Sequence, residues 1–331
     1  MTGSFQNYAE SVKPLLDADF TDHLAGLLGD AESLKAYGGA KILTGGKRIR
    51  GSLVCLVAAT LGGALEDALP RAIALELIQT ATLIHDDFVD QHKRRRDLPA
   101  LWTLEGARRA VLLGDVIFAS AIQRMSELGR EDGLIISNAI AEVSRGAYQE
   151  PLDTCSLFEA FGEDRHGVAF YEKIIYLKTG VLFAAACQFG ALAARVDEGL
   201  RQKWNCYGLK VGEAYQIADD LQEVEQYLLT HSITRSELTS LAPALFFFNS
   251  DIRPHILEAL RQESPEFSGE FLKPLQSTAE VMKDEIERRL RSAVADIEGS
   301  LPDNEYGRLA RRSPWDIIRM FNGARPAVSS Q

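Results

Sequence analysis

Asp86, Asp87 and Asp90 lie in the stretch ATLIHDDFVDQHKRRRDLPALW, residues 81–102, and VGEAYQIADDLQEVEQY repeats their spacing as Asp219, Asp220 and Glu223. An offset of four puts Asp86 and Asp90 on one face of a helix, and likewise Asp219 and Glu223, with Asp87 and Asp220 one position round. Like charges at that spacing destabilise a helix slightly unless a cation is bound. Magnesium suits such a set, because it takes one or two carboxylates together with phosphate oxygens. A single acidic pair on a helix is commonly just a solvated face. Two matching clusters facing each other across a bundle could hold several divalent ions around one diphosphate, which one cluster cannot do.

Two basic clusters flank the first acidic one. TGGKRIRG, residues 44–51, offers a glycine pair before Lys47, Arg48 and Arg50, and Lys93, Arg94, Arg95 and Arg96 follow Asp90. Guanidinium forks bind phosphate oxygens in pairs, and lysine adds a compact point charge. A basic run can equally be solvated surface or a localisation patch. Here the net charge is −11, so the overall field repels nucleic acid and anionic membrane surfaces, and an anion must be bound locally. That balance favours anion sites beside the acidic helix.

Helices must position these groups. Apolar residues recur with helical period over about residues 47–62, 70–92, 104–129, 133–149, 167–195, 198–229, 236–248, 253–263 and 267–298, and alternating strand-like runs are nearly missing. Pro70 suits a first helical turn, Gly62 and Gly63 suit a helix end, and Asp197 can cap the helix after Arg195. GVLFAAACQFGALAA is apolar around most of its circumference, as in the middle of a large bundle. The expectation is an all-α fold, one helical domain over residues 1–322 with a loose tail at 323–331. With 46% hydrophobic residues the chain is too apolar for disorder, and it has neither a basic start with an apolar core nor an unbroken spanning run. A cytoplasmic location is expected. Cys55, Cys155, Cys187 and Cys206 are too scattered for a zinc site or a disulfide framework and read as free thiols.

Taken together, GGKRIR, HDDFVDQHKRRRDLP, LLGDVIFA, YLKTGVLF and AYQIADDLQE resemble, in order, the GGKRxR, first aspartate-rich, LxGD, KT and FQxxDD segments of the trans-isoprenyl diphosphate synthases. The resemblance covers about residues 40–250. It implies an isoprenoid synthase helical bundle with a central cavity, usually a homodimer, working with magnesium on isopentenyl diphosphate and an allylic diphosphate. By the same resemblance Asp86, Asp87 and Asp90 bind magnesium on the allylic diphosphate, and Asp219, with Asp220 and Glu223, completes the ion cluster from the opposite helix. Arg95 touches the allylic diphosphate, Lys47, Arg50 and Arg96 hold isopentenyl diphosphate, and Gln79 stands where the family has His or Gln. Lys178, Thr179 and Gln216 face the allylic diphosphate and the developing cation.

The chain departs from that pattern at several points. Glu223 replaces the last aspartate of the second motif, and the segment after it lacks the usual Gly- and Lys-bearing loop. Asp97 stands where a glycine is common, and Trp102 where a histidine is common. These changes keep open a class I terpene cyclase on the same bundle, or a catalytically weak subunit of a heteromeric synthase. Product length turns on Ala81 and Thr82, roughly 6 to 7.5 Å below Asp86 at 1.5 Å per residue, where bulky aromatics in the family stop growth at fifteen carbons. Both are small here, which implies a floor near Ile78, Phe118 or Phe183 and a product of twenty carbons or more.

Overall fold

In the computed structural model, residues 3–28, 43, 45–96, 98–149, 167–261 and 269–322 are described. Asp97, Cys155 and the expected tail at 323–331 lie outside them. Helices follow one another as α1 (Phe5–Leu28), α2 (Ile49–Thr60), α3 (Leu65–Val89), the short α4 (Leu101–Glu105), α5 (Ala107–Leu128), α6 (Arg130–Gln149) and α7 (Gly167–Ile175). After a π-helical turn at Tyr176–Gly180 come α8 (Val181–Ala193), α9 (Glu198–Thr230), α10 (Arg235–Phe248), α11 (Arg253–Ala259), α12 (Gly269–Ile297) and α13 (Glu305–Asn322). Among the described residues the only sheet is a two-residue hairpin, β1 (Arg94–Arg95) antiparallel to β2 (Leu98–Pro99), with Arg95 opposite Leu98. The expected all-α bundle is what forms.

Local chemistry accounts for the boundaries. Asp197 Oδ1 accepts from the Leu200 amide at 3.0 Å and caps α9 as expected. At Pro70 the expectation fails: α3 starts at Leu65, with Glu66 and Asp67 in its first turn, so the proline lies inside the helix. Acidic groups near the N-terminal amides outweigh that signal. Every residue of α8 except Gln188 and Leu192 is buried, so this helix is the centre of the bundle. The stretch Phe170–Ala193 is long and apolar enough to cross a membrane, but it lies inside the protein, packed on α2 and α9.

Two apolar clusters make the core. One joins α1, α2, α3, α5, α6 and α8; the other joins the C-terminal half of α9 to α7, α10, α11 and α12. The long α9 belongs to both, with Tyr207 and Val211 in the first and Ile217 and Val224 in the second. At about 25 cal/mol per Å² of apolar surface removed from water, such cores dominate the stability of the bundle. They also fix α3 and α9, the two helices that carry the acidic motifs.

Candidate active site

The C-terminal end of α3 and the middle of α9 border one cavity of about 630 Å³, which Asp86 lines from the first helix and Asp219 from the second. In each motif the second aspartate does something different from the first. Asp87 is buried and accepts from Arg95 Nε at 2.6 Å. Burial raises its pKa, and the neighbouring Arg95 opposes that rise. Asp220 accepts from the Tyr171 hydroxyl at Oδ2 and from Gln216 Nε2 at Oδ1, 3.1 Å away. Burial pushes this carboxyl up to about 7, against the pull of the tyrosine hydroxyl. Asp90 closes α3, its amide donating to the Asp86 carbonyl at 2.8 Å, and its carboxylate is exposed. Glu223 borders a smaller adjoining cavity of about 60 Å³ together with Asp219, Asp220, Lys178, Thr239 and Ser240.

Among the described residues, no three His, Cys, Asp or Glu side chains converge tightly enough to hold a metal on protein ligands alone. What the site offers is hard carboxylate oxygen from opposite walls of one cavity. That donor chemistry fits magnesium, which commonly completes its octahedron with phosphate oxygens and water.

The basic residues divide in two ways. Arg48, one of the cluster at 47–50, turns into the core at φ 53 and is buried. Its Nε lies 2.8 Å from Asp17 and its guanidinium 4.0 Å over the Phe20 ring. It ties α1 to the bundle. Lys47, Arg50, Arg95 and Arg96 line a second cavity of about 620 Å³, along with Gln79 and Asp87, and Arg48 borders it too from its buried position. Arg96 donates to the Gly45 carbonyl, and a Cβ on Gly46 would stand 3.1 Å from its guanidinium at a backbone φ of +136. The glycine pair therefore lets the loop close onto the arginine hairpin. Lys47 donates to the Met320 carbonyl at the end of α13.

Arg50, Gln79, Leu83, Arg95 and Tyr215 border both cavities and form the wall between them. Two buried atoms on that wall, Arg50 Nε and Gln79 Oε1, have no hydrogen-bond partner among the described residues. An unsatisfied buried donor and acceptor are costly, which argues for a polar ligand that completes them. Tyr215 stands where the resembled motif has phenylalanine; its ring packs on Phe183 at 5.4 Å, and burial pushes its hydroxyl up to about 12.

The π-helical turn carries Lys178 and Thr179, as such turns often do at functional sites. Lys178 borders the first cavity and the small one beside it, and Thr179 Oγ1 donates to Gln216 Oε1 at 2.6 Å. The two positions expected to set product length differ. Thr82 borders the large cavity, whereas Ala81 is buried in the core. Phe118 lines the cavity beside Thr82; Phe183 and Ile78 are buried and do not line it.

Sequence reasoning passed over His85. Its ring lies against α5 where a Cβ on Gly114 would come within 2.2 Å of Nε2, so the glycine of LLGD is the slot for this imidazole. The His85 Nε2 is 3.0 Å from the Val111 carbonyl, and the ring meets Phe118 edge on. Trp102 donates from Nε1 to the His92 carbonyl at 2.8 Å and packs on Phe88, bracing the arginine hairpin against α3.

The geometry thus brings all the sequence-predicted carboxylates except the exposed Asp90, together with the predicted site cations, to adjoining cavities, and known proteins share both the pattern and the frame. The chain is 36% identical over 180 residues to geranylfarnesyl diphosphate synthase of Methanosarcina mazei, a match covering 54% of this chain and 58% of that protein. It is also 36% identical over 178 residues to component 2 of heptaprenyl diphosphate synthase from Geobacillus stearothermophilus, covering 54% and 53%. The matched stretch therefore spans little more than half the length of these relatives. A solved polyprenyl synthase from Caulobacter crescentus CB15, in complex with calcium and isoprenyl diphosphate, superposes with a TM-score of 0.73. At 21% identity it covers 96% of this chain and 98% of its own, and this likeness concerns the fold. A family model described as polyprenyl synthetase matches residues 33–227, a span that takes in both acidic motifs and everything between them, and the chain belongs to the polyprenyl synthetase family.

Proposed function

We propose that this protein is a magnesium-dependent prenyltransferase that joins isopentenyl diphosphate to an allylic diphosphate head to tail, giving an all-trans polyprenyl diphosphate of twenty carbons or more. The observation that carries this reading is the pair of cavities, about 630 and 620 Å³, separated by one shared wall. Carboxylates from two helices and Lys178 border one of them, and Lys47 and Arg96 border the other. Two diphosphates seated on either side of the wall would bring their carbon chains together while each keeps its own neutralising charge.

In this reading Asp86, Asp90 and Asp219 hold magnesium, with Asp87, Asp220 and Glu223 behind them. Magnesium so held supplies Lewis-acid neutralisation of the departing diphosphate. Arg95 and Lys178 add positive charge on the same side, so the bond to the allylic carbon can break heterolytically. Lys47, Arg50 and Arg96 hold isopentenyl diphosphate so that its alkene reaches the allylic carbon, and Gln79 orients it. Thr179 and Gln216, hydrogen-bonded to each other at 2.6 Å, border the same cavity and give the developing positive charge a polar neighbour. Val111, Phe118 and Val143 give the large cavity apolar walls that exclude water. Loss of a proton to the departing diphosphate completes the new double bond.

Two observations support a long product. Thr82 leaves the cavity wall small, and relatives carry the names geranylfarnesyl and geranylgeranyl diphosphate synthase. We place the protein in the cytoplasm as a homodimer. A second reading, a subunit that needs a different chain, is favoured by the relative named component 2. Purified protein given magnesium, isopentenyl diphosphate and each allylic diphosphate in turn tests both. Longer prenyl diphosphates support the proposal, a released hydrocarbon or alcohol points to a cyclase, and no product without a partner chain favours the subunit.

A further inference from the structure

We infer that Tyr171 is a positioning residue for this site, acting through Asp220 on the second acidic motif; the inference rests on the function proposed above. A continuous chain of hydrogen bonds carries it. Thr179 Oγ1 donates to Gln216 Oε1 at 2.6 Å, Gln216 Nε2 donates to Asp220 Oδ1 at 3.1 Å, and the Tyr171 hydroxyl donates to Asp220 Oδ2. Both Asp220 oxygens are thereby engaged, and the Gln216 amide is fixed at both ends. Asp219, one position round the helix, is the carboxylate left bordering that cavity.

The arrangement repeats the first motif with a different donor. There a cation, Arg95, holds the second aspartate at 2.6 Å; here a neutral phenol on α7 does so. The phenol is itself clamped. Tyr171 is buried, and its ring packs on Phe247 at 5.1 Å and on Phe248 at 5.7 Å, both from α10. This is the helix that follows the second motif, where the segment lacks its expected lysine. In place of a charge on the diphosphate, α10 contributes an aromatic clamp on the group that orients the metal-binding helix. Groups that hold a ligand's neighbours in place typically matter 10–100-fold in affinity or activity.

Tyr171→Phe deletes only the hydroxyl, so it should lower kcat about tenfold while the KM for isopentenyl diphosphate stays within about twofold. Manganese binding to the protein in the presence of inorganic pyrophosphate, followed by electron paramagnetic resonance, should weaken by about tenfold as well. If Tyr171 acts through Asp220, the Tyr171→Phe/Asp220→Ala double variant is no slower than Asp220→Ala alone. A folded Tyr171→Phe protein with wild-type kcat, unchanged manganese binding, or two effects that multiply in the double variant would overturn the inference. Should Tyr171→Phe not fold, Phe248→Leu keeps the hydroxyl but loosens the clamp, and unchanged manganese binding there overturns it too. A wild-type protein that makes no prenyl product defeats the proposed function, whereas the manganese measurement still decides the role of Tyr171.

Discussion

At the scale of single residues, the two aspartate motifs share a division of labour: one carboxylate faces the cavity and its neighbour is spent on holding the frame. Asp86→Asn should therefore lower turnover by about a hundredfold or more, since a charge that stabilises the leaving group is worth several kcal/mol in the transition state. Asp87→Asn should do comparable damage by a different route, because it removes the charge that fixes Arg95 at 2.6 Å. Neither change should unfold the protein. Relieving like-charge repulsion between Asp86 and Asp90 is worth about 0.2–0.5 kcal/mol, so the Tm of Asp86→Asn should hold or rise slightly. Steady-state kinetics beside a thermal melt check both, and wild-type turnover in either folded variant would remove its assigned role. Of the two cavities, Lys47 borders the second and not the first. Lys47→Ala should accordingly raise the KM for isopentenyl diphosphate about tenfold or more and leave the allylic KM nearly unchanged, the pattern of lost binding to a phosphate that does not depart. A shift in the allylic KM instead would reverse the two anion sites.

At the scale of elements, the proposed product length turns on α3, and its two small residues predict opposite outcomes. Thr82 borders the cavity, so Thr82→Phe fills space that a growing chain would use and should shorten the product by one or more five-carbon units. Ala81 is fully buried in the core, so Ala81→Phe overpacks and should cost about 1–3 kcal/mol of stability. Chromatography of the products and a denaturant melt separate these outcomes, and an unshortened product from Thr82→Phe would remove that residue from the chain-length wall. Sequence spacing alone could not distinguish the pair, because adjacent helical positions differ by about 100° and only packing reveals which one faces a cavity. The same limit explains other gaps. Helices α1 and α13 went unread although Phe5, Val12, Leu16, Phe20 and Leu24 keep helical spacing; Pro14 and Pro314 lie inside these helices and read as breakers. Asp197 as a cap, the central α8 and both acidic clusters were legible because each is a local pattern. The inward turn of Arg48 and the slot that Gly114 makes for His85 are contacts between distant segments, which no local pattern carries. Tyr171, seven residues before Lys178 and so two turns away on the same face, was within reach of spacing arguments.

At the scale of the whole molecule, α3 and α9 border the site from opposite sides, and α5 lines its cavity with Val111 and Phe118 while leaving apolar side chains on its outer face. Leu112 and Val116 are about half exposed, at 51% and 47%, and Ala119 continues the same stripe. The inward side of this helix, through Gly114 and Ile117, packs on α3 beside the first acidic motif. This face, which Asp115 shares, backs directly onto the cavity wall, and the proposed homodimer would set a second copy of the chain against it. In the proposed dimer Leu112→Arg/Val116→Arg would set like charges against each other across a two-fold interface and should leave the protein monomeric at micromolar concentration. Light scattering on the eluted protein reads this directly. Loss of dimerisation should also lower turnover, since α5 then loses the support of its neighbour, while far-ultraviolet circular dichroism stays that of a helical bundle. A double variant that still elutes as a dimer would place the contact on another face. A wild-type protein that is monomeric alone but assembles with a different chain would turn the comparison with component 2 of the heptaprenyl enzyme into the better guide to its assembly.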